Sequence, residues 1–238
     1  MINLSIENIL FLDIETVPEQ ASFDSLDERM QHLWTHKASF LDGGGEKTAA
    51  ELYHRAGIYA EFGKVICICA GHFAQGRLRV KAYAGLDEHR LLAEFADVLH
   101  AWGRPDRHSR EHYLCAHNGK EFDFPYLARR MTVQGISLPS LLAHHGKKPW
   151  EVTHLDTMEL WKFGDRKNFT SLDLLTAILG IPSPKADISG ADVGRVFWEE
   201  NGLDRIVEYC RQDVIAVTRI FQRFSGGFPV PQEVIDFF

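Results

Sequence analysis

At 238 residues, with 45% hydrophobic and 25% charged side chains, the chain can bury one large core and is too short for two comfortable domains. That balance excludes a disordered chain, and no apolar run reaches the eighteen or so residues needed to cross a bilayer. The formal charge of −7 excludes a grip on nucleic acid through net charge alone, although residues 129–167 carry a local +3 and the rest of the chain −10. The opening MINLSIENIL lacks the basic start and small-residue cleavage site of a signal peptide, so a cytoplasmic protein without a membrane partner is expected. Cys67 and Cys69 alternate within one apolar run, while Cys115 and Cys210 stand apart; neither a disulfide framework nor a zinc knuckle follows, and core thiols are expected.

Residues 8–14 (NILFLDI) form a continuous apolar run, the pattern of a strand covered on both faces. Residues 20–62 then alternate helical patches with the loop LDGGGEK and predict a helical insertion. KVICICAGHF (64–73) and RLRVKAYA (77–84) predict two strands joined by a turn at Gly76. In 89–102 the residues Leu91, Leu92, Phe95, Val98, Leu99 and Trp102 recur at steps of three and four, predicting an amphipathic helix, after which the charged 103–112 stretch loops out. YLCAH (113–117) reads as a short strand, Asn118-Gly119 as a turn, FDFPYLARRM as a helix, and THLDTMEL (153–160) as a strand passing into a helix. A helix over 171–179 takes Thr170 or Ser171 as its cap and Gly180 with Pro182 as its stop. The last helix, 203–224, buries Leu203, Ile206, Cys210, Val214, Val217 and Phe221. This mixture predicts an α/β fold with a mixed sheet.

The chemistry lies in the carboxylates. Asp13 and Glu15 end the first strand on one face, where two like charges about 4 Å apart repel by roughly 4 kcal/mol at an effective dielectric near 20. Something must offset that cost. Asp123 sits where a helix starts after a strand and a turn, and Tyr209 and Asp213 lie one turn apart on the flank of the last helix. Taken singly, each has a bland reading: a polar strand end, a carboxylate favouring a helix N-terminus, a tyrosine at the core edge beside a solvated aspartate.

Their order changes the reading. Asp13-x-Glu15, Asn118 with Phe122-Asp123, and Tyr209-x-x-x-Asp213 resemble the three motifs of the DEDD (DnaQ-like) 3′–5′ exonucleases, in the subclass with tyrosine. FLDIET, AHNGKEFDFPYL and HLDTMELWKFGDRKNFTSLDLLTAILGIPSPK also resemble a bacterial family of predicted exonucleases similar to the proofreading domain of family B DNA polymerases. The resemblance spans residues 8–224. It implies an RNase H-like mixed sheet flanked by helices in a single domain, 1–224, with the insertion at about 20–62 and a C-terminal tail, 225–238. It implies an enzyme that hydrolyses phosphodiester bonds at the 3′ end of single-stranded or frayed DNA.

Four carboxylates without a Cys or His ligand set suit hard divalent cations, Mg²⁺ or Mn²⁺ rather than zinc. By the resemblance, Asp13, Glu15, Asp123 and Asp213 hold two such ions and Tyr209 orients the attacking water, while Thr16, Asn118 and Phe122 contact the substrate. Phe124, Trp161 and Phe163 are further stacking candidates, each with a core reading beside it, and Lys120, Lys162, Arg166 and Lys167 could take phosphates or form a solvated face. His117 reads as a strand-end residue. The closing VIDFF (234–238) loosely resembles peptides that bind bacterial sliding clamps; a tail folded on the body is the plainer reading. With no polymerase module in these residues, proofreading in cis is not expected. A catalytically silent nucleic-acid- or partner-binding module, an RNA exonuclease, and a hydrolase of small phosphate esters remain as alternatives.

Overall fold

The first strand is covered on both sides because its alternate residues face two different helical layers. A computed structural model of the chain describes every residue except 1–3, 42, 44, 46, 105–110, 166–168 and 183–186. Arg166 and Lys167, and most of the charged loop after Trp102, therefore lie outside the described residues. β1 (Ile9–Pro18) pairs antiparallel with β2 (Gly63–Ala74), which turns through Gln75 and Gly76 into β3 (Arg77–Ala84). Both turn residues have positive φ, +55° and +75°, the backbone that matches the twist of a two-residue hairpin. β4 (Tyr113–Ala116) and the two-residue β5 (Leu155–Asp156) extend the sheet in parallel from β1. The six-stranded order is β5-β4-β1-β2-β3-β6, the mixed sheet of an α/β fold expected from the sequence.

The helices are α1 (Glu28–Leu41), α2 (Ala49–Leu52), α3 (Glu88–Trp102), α4 (Asp123–Val133), α5 (Thr157–Trp161), α6 (Leu172–Ile178), α7 (Val193–Trp198) and α8 (Leu203–Phe224). Ile9 and Phe11 point with Cys67 and Cys69 toward α7 and α8, where Ile206, Cys210, Val214 and Phe221 complete one core layer. Leu10, Leu12 and Ile14 point the other way, against Leu92, Phe95 and Leu99 of α3 and Phe124 and Leu127 of α4. Asp13 and Glu15 share the parity of Phe11 and so emerge on the α8 side. Among the described residues, no helix is long and apolar enough to cross a membrane.

Three features go beyond the sequence pattern. The insertion has its own small core, in which the fully buried Trp34 packs edge-on against Tyr53 and Phe62 and donates from Nε1 to the Ala49 carbonyl at 2.8 Å. α7 was not foreseen: with Val193, Val196 and Phe197 as its buried residues, six positions are too few to show a period. The segment after 224 returns to the sheet, where β6 (Ile235–Phe237) pairs in parallel with β3 and Asp236 accepts from Arg77.

The orientation of α4 is fixed by a buried ion pair. Arg130 on α4 donates from Nε to Glu88 of α3 at 2.9 Å, from Nη1 to the Ala60 carbonyl at 2.9 Å and from Nη2 to Glu19 at 3.1 Å. Glu88 also accepts from the Val65 amide and from Gln134, both at 2.8 Å, so β1, the insertion, β2, α3 and α4 meet at one guanidinium and its carboxylate. Arg130→Met leaves Glu88 buried and unpaired. It should destabilise the fold by about 3–5 kcal/mol, read as a lowered urea midpoint with an unchanged m-value; an unchanged midpoint would show that the pair holds nothing together.

Candidate active site

Glu15 and Asp123 are almost fully buried, while Asp13 and Asp213 are partly buried. Asp13 and Glu15 lie opposite Cys69 and Cys67 of β2, and the ladder shifts register just after Glu15. From the far side of the chain, α8 lays Cys210 over this pair, its thiol donating to the Asp13 carbonyl at 3.4 Å. One turn on, Asp213 lies beside the Tyr209 hydroxyl and within electrostatic reach of both β1 acids. Asp123 opens α4, and its own amide and that of Ile14, the residue between Asp13 and Glu15, lie near enough to its carboxylate to favour the charged form. The four acids that the sequence scatters from 13 to 213 thus converge, with Tyr209 on their rim.

Burial, and then neighbouring negative charge, raises the pKa of every member. Asp13 and Glu15 are held well above the usual carboxylate range by desolvation first and by their acidic neighbours second. Their carboxylate oxygens lie within 4.8 Å of each other, so each charge opposes ionisation of the other. Desolvation, with Asp156 and Asp213 adding to it, lifts Asp123 to about 7. Asp213 also rises to about 7, through desolvation and then the charge of Asp173, a residue of α6 that the sequence did not single out. Tyr209 is raised by desolvation and by Asp213, Glu15 and Asp13, so its hydroxyl stays protonated at neutral pH. Asp13 Oδ2 is buried with no hydrogen-bond partner. An orphaned carboxylate oxygen inside a ring of raised-pKa acids is the chemistry of a divalent-cation site, and the residues present fit such an ion.

The substrate candidates have distinct surroundings. Asn118 adopts a left-handed φ of +62°, and its buried Oδ1 has no partner. Asp156 builds that turn, accepting from the amides of Asn118 at 3.0 Å and Lys120 at 3.1 Å while also capping α5 through Met158 and Glu159. The cap is legible in HLDTMEL; the reach across to Asn118 is not, because it depends on β4 and β5 being neighbours. Phe122 is half-buried, its ring 5.3 Å from that of Tyr126. The Thr16 hydroxyl is turned toward Tyr126, whose own O–H is committed to the Gly57 carbonyl at 2.8 Å. His117 is used structurally, with its two ring nitrogens at 2.9 Å from Thr157 Oγ1 and the Thr170 carbonyl.

Beside this cluster, a cleft of about 720 Å³ runs along α4, walled by Asn118, Lys120, Arg129, Lys147, Met158 and Lys162. It adjoins the four acids rather than containing them, and of the sequence candidates Asn118, Lys120, Phe124 and Lys162 line it. Lys120 is paired with Glu159 at 2.7 Å. Of the aromatic candidates, Phe124 is buried in the core, Trp161 stacks on Phe224 and Phe163 is exposed.

The family model described as a predicted 3′-5′ exonuclease related to the exonuclease domain of PolB matches residues 58–226. The chain belongs to that family. The matched span contains Asp123, Tyr209 and Asp213, while β1 with Asp13 and Glu15 precedes it. Among solved structures, this exonuclease-family chain is similar to the family B DNA polymerase from the hyperthermophilic archaeon Pyrobaculum calidifontis, at 16% identity and a TM-score of 0.49. The match covers 93% of this chain and 26% of the polymerase, so the chain spans about a quarter of that protein's length.

The raised pKa values set the direction of a pH effect on the cation-free protein. Asp123 and Asp213 bind a proton more tightly when folded (about 7) than when unfolded (3.8), so their contribution is full below the unfolded value and is lost as pH rises through about 7. The difference in melting temperature between Mn²⁺-saturated and EDTA-treated protein should therefore widen from about pH 5 to about pH 8. Asp213→Asn should narrow it, and a pH-independent difference in the wild type would contradict the assignment.

Proposed function

We propose that the chain is a metal-dependent 3′–5′ exonuclease that hydrolyses phosphodiester bonds at the 3′ end of single-stranded or frayed DNA. The observation that carries this reading is the convergence of Asp13, Glu15, Asp123 and Asp213 around a buried, partnerless Asp13 Oδ2. Asp13, Glu15 and Asp213 would hold one divalent cation, and Asp13 with Asp123 would hold a second. When bound, two such ions, Mg²⁺ or Mn²⁺, supply an activated water and stabilise the attacking and leaving oxygens of an in-line displacement. Tyr209 positions that water through its hydroxyl rather than acting as a base, because it keeps its proton at neutral pH. Phe122 offers a ring edge to the terminal base, and the free Asn118 Oδ1 accepts a donor from the terminal nucleotide. Thr16, next to Glu15, would contact the same end of the strand. Arg129, Lys147 and Lys162 on the wall of the neighbouring cleft, interspersed with acidic side chains, are the cations within it that could meet the phosphates behind that nucleotide. A sliding-clamp role for residues 234–238 would require β6 to leave the sheet and expose the buried Ile235, which weighs against it.

A 5′-labelled single-stranded oligonucleotide with Mg²⁺ or Mn²⁺ tests the assignment. The wild type should shorten it stepwise from the 3′ end, and Asp13→Ala should lower the rate by about 10²–10³-fold, as when one charge-stabilising group is removed from such a site. Tyr209→Phe should lower kcat with little change in KM. Equal rates for the wild type and Asp13→Ala would overturn the assignment, as would turnover of small phosphomonoesters without shortening of the oligonucleotide.

A further inference from the structure

Beneath the carboxylates lies a group that the nuclease reading does not use. Cys67 and Cys69 leave β2 on its α8 face, across from Glu15 and Asp13, and Cys210 descends on them from α8. All three are buried free thiols, with Sγ atoms within 4.8 Å of one another and a Cys67–Cys69 sulfur separation of 3.9 Å. A tetrahedral zinc–thiolate centre with Zn–S bonds of about 2.3 Å has sulfur–sulfur edges of about 3.8 Å. The Cys67–Cys69 pair therefore already spans one edge of such a tetrahedron, with Cys210 within 4.8 Å of both. Cys210 Sγ also lies within 4.8 Å of carboxylate oxygens of Asp13 and Glu15, so the same thiol belongs to both donor groups. Cys115, on β4, is outside the group.

We propose that Cys67, Cys69 and Cys210 form a binding site for one soft divalent ion, Zn²⁺ or Cd²⁺, with Asp13 or Glu15, which the structure groups with Cys210 alone, moving a carboxylate oxygen in as the fourth ligand when the ion binds. Thiolates select such ions, whereas Mg²⁺ and Mn²⁺ prefer the all-oxygen set above them, so the two donor groups sort cations by hardness. An incoming ion meets the partly buried Asp13 first and passes to the sulfurs behind it; each thiol that coordinates releases its proton to solvent. Because a carboxylate is shared, an ion on the sulfurs withdraws a ligand from the hard-ion centre. That second consequence, inhibition by zinc, rests on the exonuclease reading; the binding itself does not.

The test uses the full chain, reduced and stripped with a chelator, and titrated with Cd²⁺ or Co²⁺. The wild type should develop a thiolate-to-metal charge-transfer band in the near ultraviolet that saturates at one ion per chain and survives excess Mg²⁺. Cys115→Ser should keep the band, and the Cys67→Ser, Cys69→Ser double variant should lose it. Absence of the band in the wild type, or its persistence in the double variant, overturns the site. Should the double variant not fold, cadmium-113 NMR of the wild type decides: a shift typical of several sulfur ligands supports the site, and an all-oxygen shift overturns it. In the oligonucleotide assay, stoichiometric Zn²⁺ should inhibit the wild type and spare Cys67→Ser; equal inhibition of both would overturn the competition. A band without nuclease activity would retire the exonuclease reading and leave the thiol site standing, whereas activity without a band would do the reverse.

Discussion

Like charge drawn into a dry cleft must be compensated, and this constraint organises the molecule. Asp13 and Glu15 cannot avoid each other, because strand parity puts them on one face of β1, and β1 cannot expose them freely, because it is covered on both sides. Asp123 is set at the start of α4 near the backbone between them, and Asp213 is delivered by a helix whose buried stripe leaves little choice of rotation. Without a cation the cluster responds by holding protons, which is what its raised pKa values express. Outer contacts supply the rigidity: Asp156 folds the Asn118 turn, and Arg130 ties α4 to the insertion and to α3.

The close approach of α8 to the sheet serves both donor groups. Small side chains make it feasible: Cys67, Cys69 and Cys210 face one another, and a Cβ added to Gly71 would lie 3.0 Å from a Val214 methyl. A helix seated that low brings Asp213 within electrostatic reach of Asp13, and the same descent crowds three sulfurs into one pocket. The carboxylate site and the thiol floor are therefore two results of one packing decision.

What the sequence disclosed follows the range of its signals. The run NILFLDI disclosed a strand covered on both faces, and the stripe from Leu203 to Phe221 disclosed α8 with the observed ends, because periodicity is a local property. Asp13, Glu15, Asp123, Tyr209 and Asp213 were legible as an ordered set, although each was unremarkable alone. Partnerships made only by the fold were not legible. Cys210 reads as one more core thiol until α8 docks on β2, and the hold of Asp156 on the Asn118 turn exists only once β5 settles beside β4. The three residues of β6 offer no period at all; their place depends on the exposed edge of β3.

The lengths of the strands carry a last consequence. β1, β2 and β3 run ten, twelve and eight residues, yet the outermost strands, β5 and β6, have two and three, and β6 carries an aspartate locked to Arg77. The outermost strands are thus too short to recruit a neighbouring molecule into a shared sheet, and β6 covers the Leu78–Val80 stretch of the β3 edge. A chain with so apolar a centre gains from this a structural defence against self-association into fibrils.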